Sequence, residues 1–169
     1  GIFCDSSSSV TFRNIAVIGN WGQRGGGMYV RSSDPVIEAS YIGGNRANNG
    51  GGLYFGFESS ARIINSVISG NESLRGGGIF VGTGSFPDIH LINCTIAGNE
   101  APSGGGLYGC QDFVTAHNCI IWGNPLNGSP FNEVSSPGAS SFTTESVKNT
   151  LIRGGHQSLT APFVFDADP

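Results

Sequence analysis

The stretch GNESLRGGGIF, residues 70–80, decides the fold, because the chain carries its pattern four times. Each copy has a Gly-Asn pair, four variable residues, three glycines, then an apolar and an aromatic residue. The other copies are GNWGQRGGGMY at 19–29, GNRANNGGGLY at 44–54 and GNEAPSGGGLY at 98–108. A fifth Gly-Asn pair, at 123–124, has no glycine triplet after it.

The repeat asparagines set the period of the chain. Asn20, Asn45, Asn71, Asn99 and Asn124 are spaced 25, 26, 28 and 25 residues apart. Self-similarity at a period of about 20 to 50 residues is typical of a solenoid, in which each unit buries its apolar face against its neighbours.

The composition indicates that each unit is extended, not helical. The chain has 28 Gly and 8 Pro, and its short apolar runs are rich in Val, Ile, Phe and Tyr and are bounded by turn residues. We therefore predict an all-β fold, a parallel β-helix of about six coils with roughly 25 residues each.

Counting from the repeat asparagine predicts three extended pieces in each coil. Position minus three is aliphatic in every coil and is predicted to be interior: Val17, Ile42, Ile68, Ile96, Ile121. We expect the repeat asparagine to turn the chain in the left-handed region and its amide to bond up the stack. We expect the triplet glycines to form tight corners; they are Gly25, Gly26, Gly27, Gly50, Gly51, Gly52, Gly76, Gly77, Gly78, Gly104, Gly105 and Gly106.

An aromatic column follows the triplets and is the main binding candidate. Its members are Phe3, Tyr29, Tyr54, Phe80 and Tyr108. If the residues on either side face inward, these rings form an outward stripe, and exposed apolar stripes mark interaction surfaces. In the alternative, the rings only stabilise the stack by contacting one another, or the column points inward.

The acidic residues offer no catalytic constellation. Asp34, Asp88 and Asp112 recur in comparable edge loops and are candidate binding residues, although each also suits a turn. The histidines have no metal-ligand spacing. We expect no catalytic residues, no metal and no cofactor.

Two cysteines, Cys94 and Cys119, occupy equivalent places in adjacent coils. A bridge between them is sterically conceivable, but Ile15, Ser40 and Ser66 fill the same place, which favours free buried thiols.

The regular pattern covers residues 1–124, followed by an irregular insertion at 125–146 with three prolines and a last partial coil at 147–169. We expect one domain that is a fragment of a longer protein. The net charge of −4 and only eight Lys plus Arg argue against nucleic acid as a partner. No apolar run reaches the ~20 residues of a transmembrane helix.

The phrases INCTIAGNEAPSGGGLY, at 92–108, and NCIIWGNP, at 118–125, carry a family resemblance. They resemble the single-stranded, right-handed parallel β-helix repeats of bacterial surface and secreted proteins, within the pectate-lyase-like superfold. They are also similar to polymorphic outer membrane protein repeats. Those repeats have a Gly-Gly-Ala-aliphatic motif, here Gly-Gly-Gly-aliphatic, and a Phe-x-x-Asn motif, here absent. The resemblance implies the fold for nearly all of the chain outside 125–146.

The resemblance and the low share of charged residues, 12%, together lead us to expect an extracellular or cell-surface scaffold that is adhesin-like and non-catalytic. Its expected partners are a carbohydrate or another surface protein. A polysaccharide lyase or glycoside hydrolase is one alternative, since the superfold hosts both. A subunit that associates end to end into filaments is another.

Overall fold

In the computed structural model, short parallel strands wind around one apolar interior. The structure describes residues 1–6, 9–82, 87–109, 114–125, 134–135 and 147–152. Within these ranges all regular structure is β, and no helix is long and apolar enough to cross a membrane.

The described residues form twenty strands. In order they are β1 (Ile2–Cys4), β2 (Thr11–Arg13), β3 (Ala16–Ile18), β4 (Trp21–Arg24), β5 (Met28–Val30), β6 (Val36–Glu38), β7 (Tyr41–Gly43), β8 (Arg46–Asn49), β9 (Leu53–Phe55), β10 (Ser60–Ile64), β11 (Val67–Ser69), β12 (Ile79–Val81), β13 (Asp88–Ile92), β14 (Thr95–Ala97), β15 (Leu107–Tyr108), β16 (Val114–His117), β17 (Ile120–Trp122), β18 (Val134–Ser135), β19 (Val147–Lys148) and β20 (Leu151–Ile152).

Three parallel sheets, each with six of these described strands, form the walls of the solenoid. Sheet 1 has the order β1-β5-β9-β12-β15-β18, sheet 2 the order β2-β6-β10-β13-β16-β19 and sheet 3 the order β3-β7-β11-β14-β17-β20. Every strand therefore pairs with its equivalent one coil away. The predicted parallel β-helix is confirmed, and the six strands of each sheet correspond to six successive coils.

The variable residues after each repeat asparagine form a fourth ladder, which the three predicted extended pieces did not include. Strands β4 and β8 pair in parallel, and bridges Asn49 to Arg75 and Arg75 to Ser103 continue the row. We call residues 21–24, 46–49, 72–75 and 100–103 the corner ladder.

The aliphatic columns fill the interior, as predicted. Ile42, Ile68 and Ile96 lie in register on adjacent strands of sheet 3, and all three are completely buried. Strands one coil apart lie about 4.8 Å from each other, so these side chains contact one another along the axis. Equivalent apolar positions of the sequence repeat therefore contact one another in neighbouring coils.

A buried row of amides runs beside the aliphatic core. The backbone N–H and Nδ2 of Asn45 both donate to Oδ1 of Asn71, each at 3.0 Å. Asn71 Nδ2 donates in turn to Asn99 Oδ1 at 2.8 Å and to the Ile42 carbonyl at 3.0 Å. This asparagine ladder confirms the predicted amide bonding and satisfies polar groups that water does not reach.

The left-handed turn lies one residue earlier than we expected. The repeat asparagines are not left-handed; the glycine before each one is, with φ of 64° at Gly70 and 63° at Gly98. Asn65 and Asn93, six positions before the repeat asparagines, have φ of 51° and 54° and turn the chain between sheets 2 and 3. The side chain of the repeat asparagine points inward, where its amide forms the hydrogen bonds of the asparagine ladder.

The first and second glycines of a triplet are required for different reasons: the first for its positive φ and the second for close backbone packing. Gly76, the first of its triplet, has a φ of 64°. A Cβ on the second, Gly77, would lie 2.6 Å from the Gly105 carbonyl oxygen. The predicted tight corners are therefore present, and backbone packing allows no side chain there.

The thiols of Cys94 and Cys119 are free and buried, as predicted. Cys94 Sγ lies 3.2 Å from the Ile63 carbonyl oxygen, and the backbone N–H of Cys94 donates to Cys119 Sγ at 3.5 Å. The hydrogen bond with the Cys119 thiol, together with burial, raises the pKa of Cys94. These thiols stand where Ser40 and Ser66 stand in earlier coils, as hydrogen-bonding members of a buried column.

The domain boundaries stay a prediction. Most of 125–146 and of 147–169 lies outside the described residues. Within these segments, β18 pairs with β15, and β19 and β20 pair with β16 and β17, so they occupy the next places in the three sheets.

Candidate functional site

The aromatic column faces outward and runs along sheet 1. In β5 and β9 the residues on both sides of the tyrosine are buried, while Tyr29 and Tyr54 are half-buried. The ring centroids of successive residues Phe3, Tyr29, Tyr54, Phe80 and Tyr108 are 5.1, 5.1, 4.9 and 5.1 Å apart. We call these five residues the aromatic ladder.

The rings contact one another in ways that decide what they present to solvent. Tyr54 and Phe80 are stacked with an interplanar angle of 7°, and Phe80 and Tyr108 with 16°. Tyr29 meets Tyr54 edge-on, at 88°. Stacked faces cover each other, so the part of the ladder from Tyr54 to Tyr108 presents ring edges outward. Phe3, at one end, is 57% exposed. Burial raises the pKa of Tyr54.

Among the described residues, three arginines lie over rings of the ladder. The guanidinium carbon of Arg24 is 5.6 Å from the Tyr54 centroid, and that of Arg75 is 6.0 Å from the Tyr108 centroid. Such a cation is attracted to the negative ring face. Both arginines end a segment of the corner ladder, which places them along one flank of the aromatic ladder.

The third arginine, Arg31, lies 5.7 Å from the centroid of Phe3 and is already paired with a carboxylate. Its Nε donates to Asp5 Oδ1 at 3.0 Å, and its terminal nitrogen binds Asp5 Oδ2. The hydrogen bond from Arg31 lowers the pKa of Asp5. This arginine is therefore committed to an internal ion pair, unlike the two on the opposite flank.

A cleft on the outer face of sheet 2 brings together two of the predicted acidic residues. It has a volume of about 280 Å³, and Asp34, Ser60, Arg62, Asp88 and His90 contribute its polar lining. Asp34 Oδ1 accepts a hydrogen bond from the backbone N–H of Ser60 at 3.1 Å. Asp88 Oδ2 lies 3.1 Å from His90 Nε2, and His90 Nδ1 lies 2.7 Å from Thr115 Oγ1.

The third predicted acidic residue, Asp112, lies outside the described residues. Asp34 and Asp88 stand two coils apart on either side of Ser60, whose strand β10 lies between β6 and β13. In the described part of the chain, no group of three or more His, Cys, Asp or Glu side chains could hold a metal ion.

Sheet 3 carries an uncharged outer face that sequence reasoning did not single out. Its exposed side chains include Ile18, Tyr41, Val67 and Ile120, and no described strand of this sheet bears a charged residue. The positions two and four residues before the repeat asparagine would have revealed this face, because neither column holds a charge. Arg24 and Arg75, beside the aromatic ladder, were also missed, since arginine occupies their column only in alternate coils.

A comparison with protein families supports the architecture directly. The model described as right handed beta helix region matches residues 1–154. No curated protein and no solved structure gives a significant match. The family match covers the asparagine ladder, the aromatic ladder and the cleft, and the three parallel sheets agree with it. The chain therefore belongs to the right-handed β-helix family.

Proposed function

We propose that this β-helix is a non-catalytic scaffold, located outside the cell or on its surface, that binds an extended partner along the aromatic ladder. The partner is a carbohydrate chain or a segment of another surface protein. The adhesin-like role follows from a rigid rod that holds one continuous row of side chains towards its surroundings.

One observation carries this proposal: five outward rings follow one another at 4.9 to 5.1 Å with no gap. A row of this kind offers an extended ligand several equivalent contacts, each weak alone. Each contact is fixed by a buried strand beneath it, so little conformational entropy is lost when a ligand binds.

The recurring polar residues support a scaffold over an enzyme. The repeat asparagines are committed to the buried ladder, and the triplet glycines to backbone corners. Neither type is available to a substrate. The low share of charged residues, 12%, supports a location outside the cell.

Removing two rings from the ladder is expected to weaken binding. We expect the double variant Tyr54→Ala/Phe80→Ala to lose about tenfold or more in affinity for a glycan or surface-protein partner found by array screening, because aromatic side chains dominate such contacts. Surface-bound ligand titration measures the loss, and circular dichroism checks that the variant is folded.

The matched control for this test is Ile18→Ala/Val67→Ala on sheet 3, which removes exposed apolar groups from another face. Its affinity should stay within about twofold of the wild type, a few tenths of a kcal/mol. If the sheet 3 variant loses affinity and the ladder variant does not, the binding surface lies on sheet 3 instead.

The cleft on sheet 2 supports a second candidate function, cleavage of a polysaccharide. Asp34 and Asp88 are two coils apart, which is about 9.6 Å between backbones. That lies near the ~6.5–9.5 Å between the carboxyl groups of inverting glycosidases. However, Asp34 accepts a backbone hydrogen bond and Asp88 pairs with His90, which are structural contacts.

Turnover assays separate the two functions. The scaffold proposal predicts that the protein, even at high concentration, releases no new chain ends or unsaturated products from a panel of acidic polysaccharides. Product formation that the isosteric variant Asp88→Asn abolishes, while Asp5→Asn leaves it unchanged, would establish the enzyme instead. Both substitutions remove one carboxylate, but only Asp88 lines the cleft.

A further inference from the structure

We propose that Cys94 and Cys119 form a disulfide that joins two neighbouring coils when the protein meets a disulfide oxidant. The structure describes both residues as free thiols, so the bond is a modification of the folded chain. This site goes beyond the scaffold function and does not depend on it, because it lies in the interior and not on the aromatic ladder. Three observations carry the proposal: the register of the two residues, the position of their sulfur atoms, and the partners of the carbonyl groups around them.

The register of sheet 3 places the two cysteines side by side in adjacent coils. Thr95 is aligned with Ile120 in strands β14 and β17, so the residues just before them, Cys94 and Cys119, are aligned as well. Equivalent backbones lie about 4.8 Å apart, and the Cα atoms of disulfide-bonded cysteines usually lie about 4.4–6.8 Å apart. The two residues are therefore already within the range of a disulfide.

Both side chains point into the interior and meet there. Cys94 and Cys119 are each 1% exposed, and the backbone N–H of Cys94 donates to Cys119 Sγ at 3.5 Å. The thiol of Cys94 also hydrogen-bonds with that of Cys119, and this hydrogen bond lowers the pKa of Cys119. Cys119 is therefore the member of the pair that more readily becomes the attacking thiolate.

Oxidation removes only weak hydrogen bonds from the surrounding backbone. Each thiol of the pair contacts the carbonyl oxygen two residues earlier in the chain, at 3.3 Å. Those two oxygens, of Ile92 and His117, also accept backbone N–H groups from the neighbouring coil, at 2.9 and 3.0 Å. Cys94 gives up one further contact, of 3.2 Å to the Ile63 oxygen. Because an S–H group is a weak donor, the Ile92 and His117 oxygens keep their stronger partner in the oxidised protein.

The reaction is thiol–disulfide exchange with a small disulfide such as glutathione disulfide. The thiolate of Cys119 attacks one sulfur of the oxidant, which forms a mixed disulfide and releases one glutathione. The thiolate of Cys94 then attacks Cys119 Sγ and releases the second glutathione. Two protein thiols are thus oxidised to one disulfide, glutathione disulfide is reduced to two glutathione molecules, and both thiol protons pass to them. Since both cysteines are buried, the oxidant reaches them through local opening of the coils.

The test oxidises the whole 169-residue chain with glutathione disulfide, blocks the remaining thiols with iodoacetamide in denaturant, and maps the linkage by mass spectrometry after chymotrypsin digestion. Cleavage after leucine and aromatic residues places each of the four cysteines on a peptide of its own. Cys119→Ser removes the bond and keeps the fold, since Ser40 and Ser66 occupy the same column. The matched control, Cys4→Val, removes a buried cysteine outside the pair, at a position where the next coil has Val30.

We expect the Cys94 and Cys119 peptides to be linked in the wild type and in Cys4→Val, with a Tm about 5 °C or more above that of the reduced protein. Dithiothreitol should abolish this difference in Tm, and Cys119→Ser should show none. Peptides that carry only glutathione, a link through another cysteine, or a lower Tm after oxidation would overturn the proposal. Each of these results leaves the scaffold function standing, because none of them changes the aromatic ladder.

Discussion

Replacing Asn71 with alanine is expected to lower the free energy of unfolding by about 4 kcal/mol, since leaving one buried polar group unpaired costs about 1–3 kcal/mol. The substitution removes the oxygen that accepts from both the backbone N–H and Nδ2 of Asn45. It also removes the donor to the Ile42 carbonyl and to Asn99 Oδ1. Asn71 is only 1% exposed, so water does not replace these partners.

Asn48→Ala is the matched control for this substitution, because it makes the same change at an exposed position of the corner ladder. Its effect should stay within about 0.5 kcal/mol, as for most surface substitutions. Chemical denaturation followed by circular dichroism measures both variants. Equal stability of the two would show that the asparagine ladder contributes nothing.

Replacing Gly77 with alanine is expected to destabilise the fold by about 3 kcal/mol or more, the upper range for overpacking. A Cβ at this position would lie 2.6 Å from the Gly105 oxygen and 2.7 Å from the Glu100 oxygen. Both are backbone atoms of the next coil, so no side-chain rotation relieves the contact. The coils must separate locally, which weakens the bond from the Gly77 N–H to the Gly104 carbonyl.

Gly98→Ala separates this steric effect from the cost of a left-handed residue. Gly98 has a φ of 63°, but an added Cβ there would meet its nearest neighbouring atom only at 4.0 Å. Its expected cost is about 1–2 kcal/mol, the penalty of the left-handed conformation for an L residue. A smaller loss for Gly77→Ala than for Gly98→Ala in denaturation experiments would contradict the close packing of the coils.

The parts of the fold that depend on repetition were predictable from sequence. The aliphatic residue three places before each repeat asparagine recurs in every coil, and Ile42, Ile68 and Ile96 are stacked and buried accordingly. The sequence left open which way the aromatic ladder faces. The structure shows buried residues on both sides of Tyr29 and Tyr54, and since neighbours in a strand point to opposite faces, the rings point outward. Equivalent residues in a solenoid share one environment, so a column is more informative than any single position.

The corner ladder was not predictable in the same way. Its members differ from coil to coil, as in the column Arg24, Asn49, Arg75 and Ser103, because backbone bonds hold it and most of its side chains face solvent. The left-handed glycine was missed because a Gly-Asn pair leaves open which residue turns. Only the inward direction of the asparagine amide settles that choice.

Only part of the candidate site could be predicted from the sequence. The aromatic column and the recurring Asp34 and Asp88 were apparent, since both types recur at equivalent places. The tilt of the stacked rings and the pairing state of each arginine depend on side-chain geometry between coils. Such contacts join residues 25 or more positions apart, as Arg13 and Glu38 or Tyr54 and Phe80 are.

Methyl NMR on isoleucine-labelled protein tests the central claim, that equivalent side chains stack in register from coil to coil. The stacked fold predicts through-space cross-peaks from Ile42 to Ile68 and from Ile68 to Ile96, because adjacent strands lie about 4.8 Å apart. The absence of both cross-peaks, in a spectrum that shows the other methyl contacts of a folded chain, would contradict the registered β-helix.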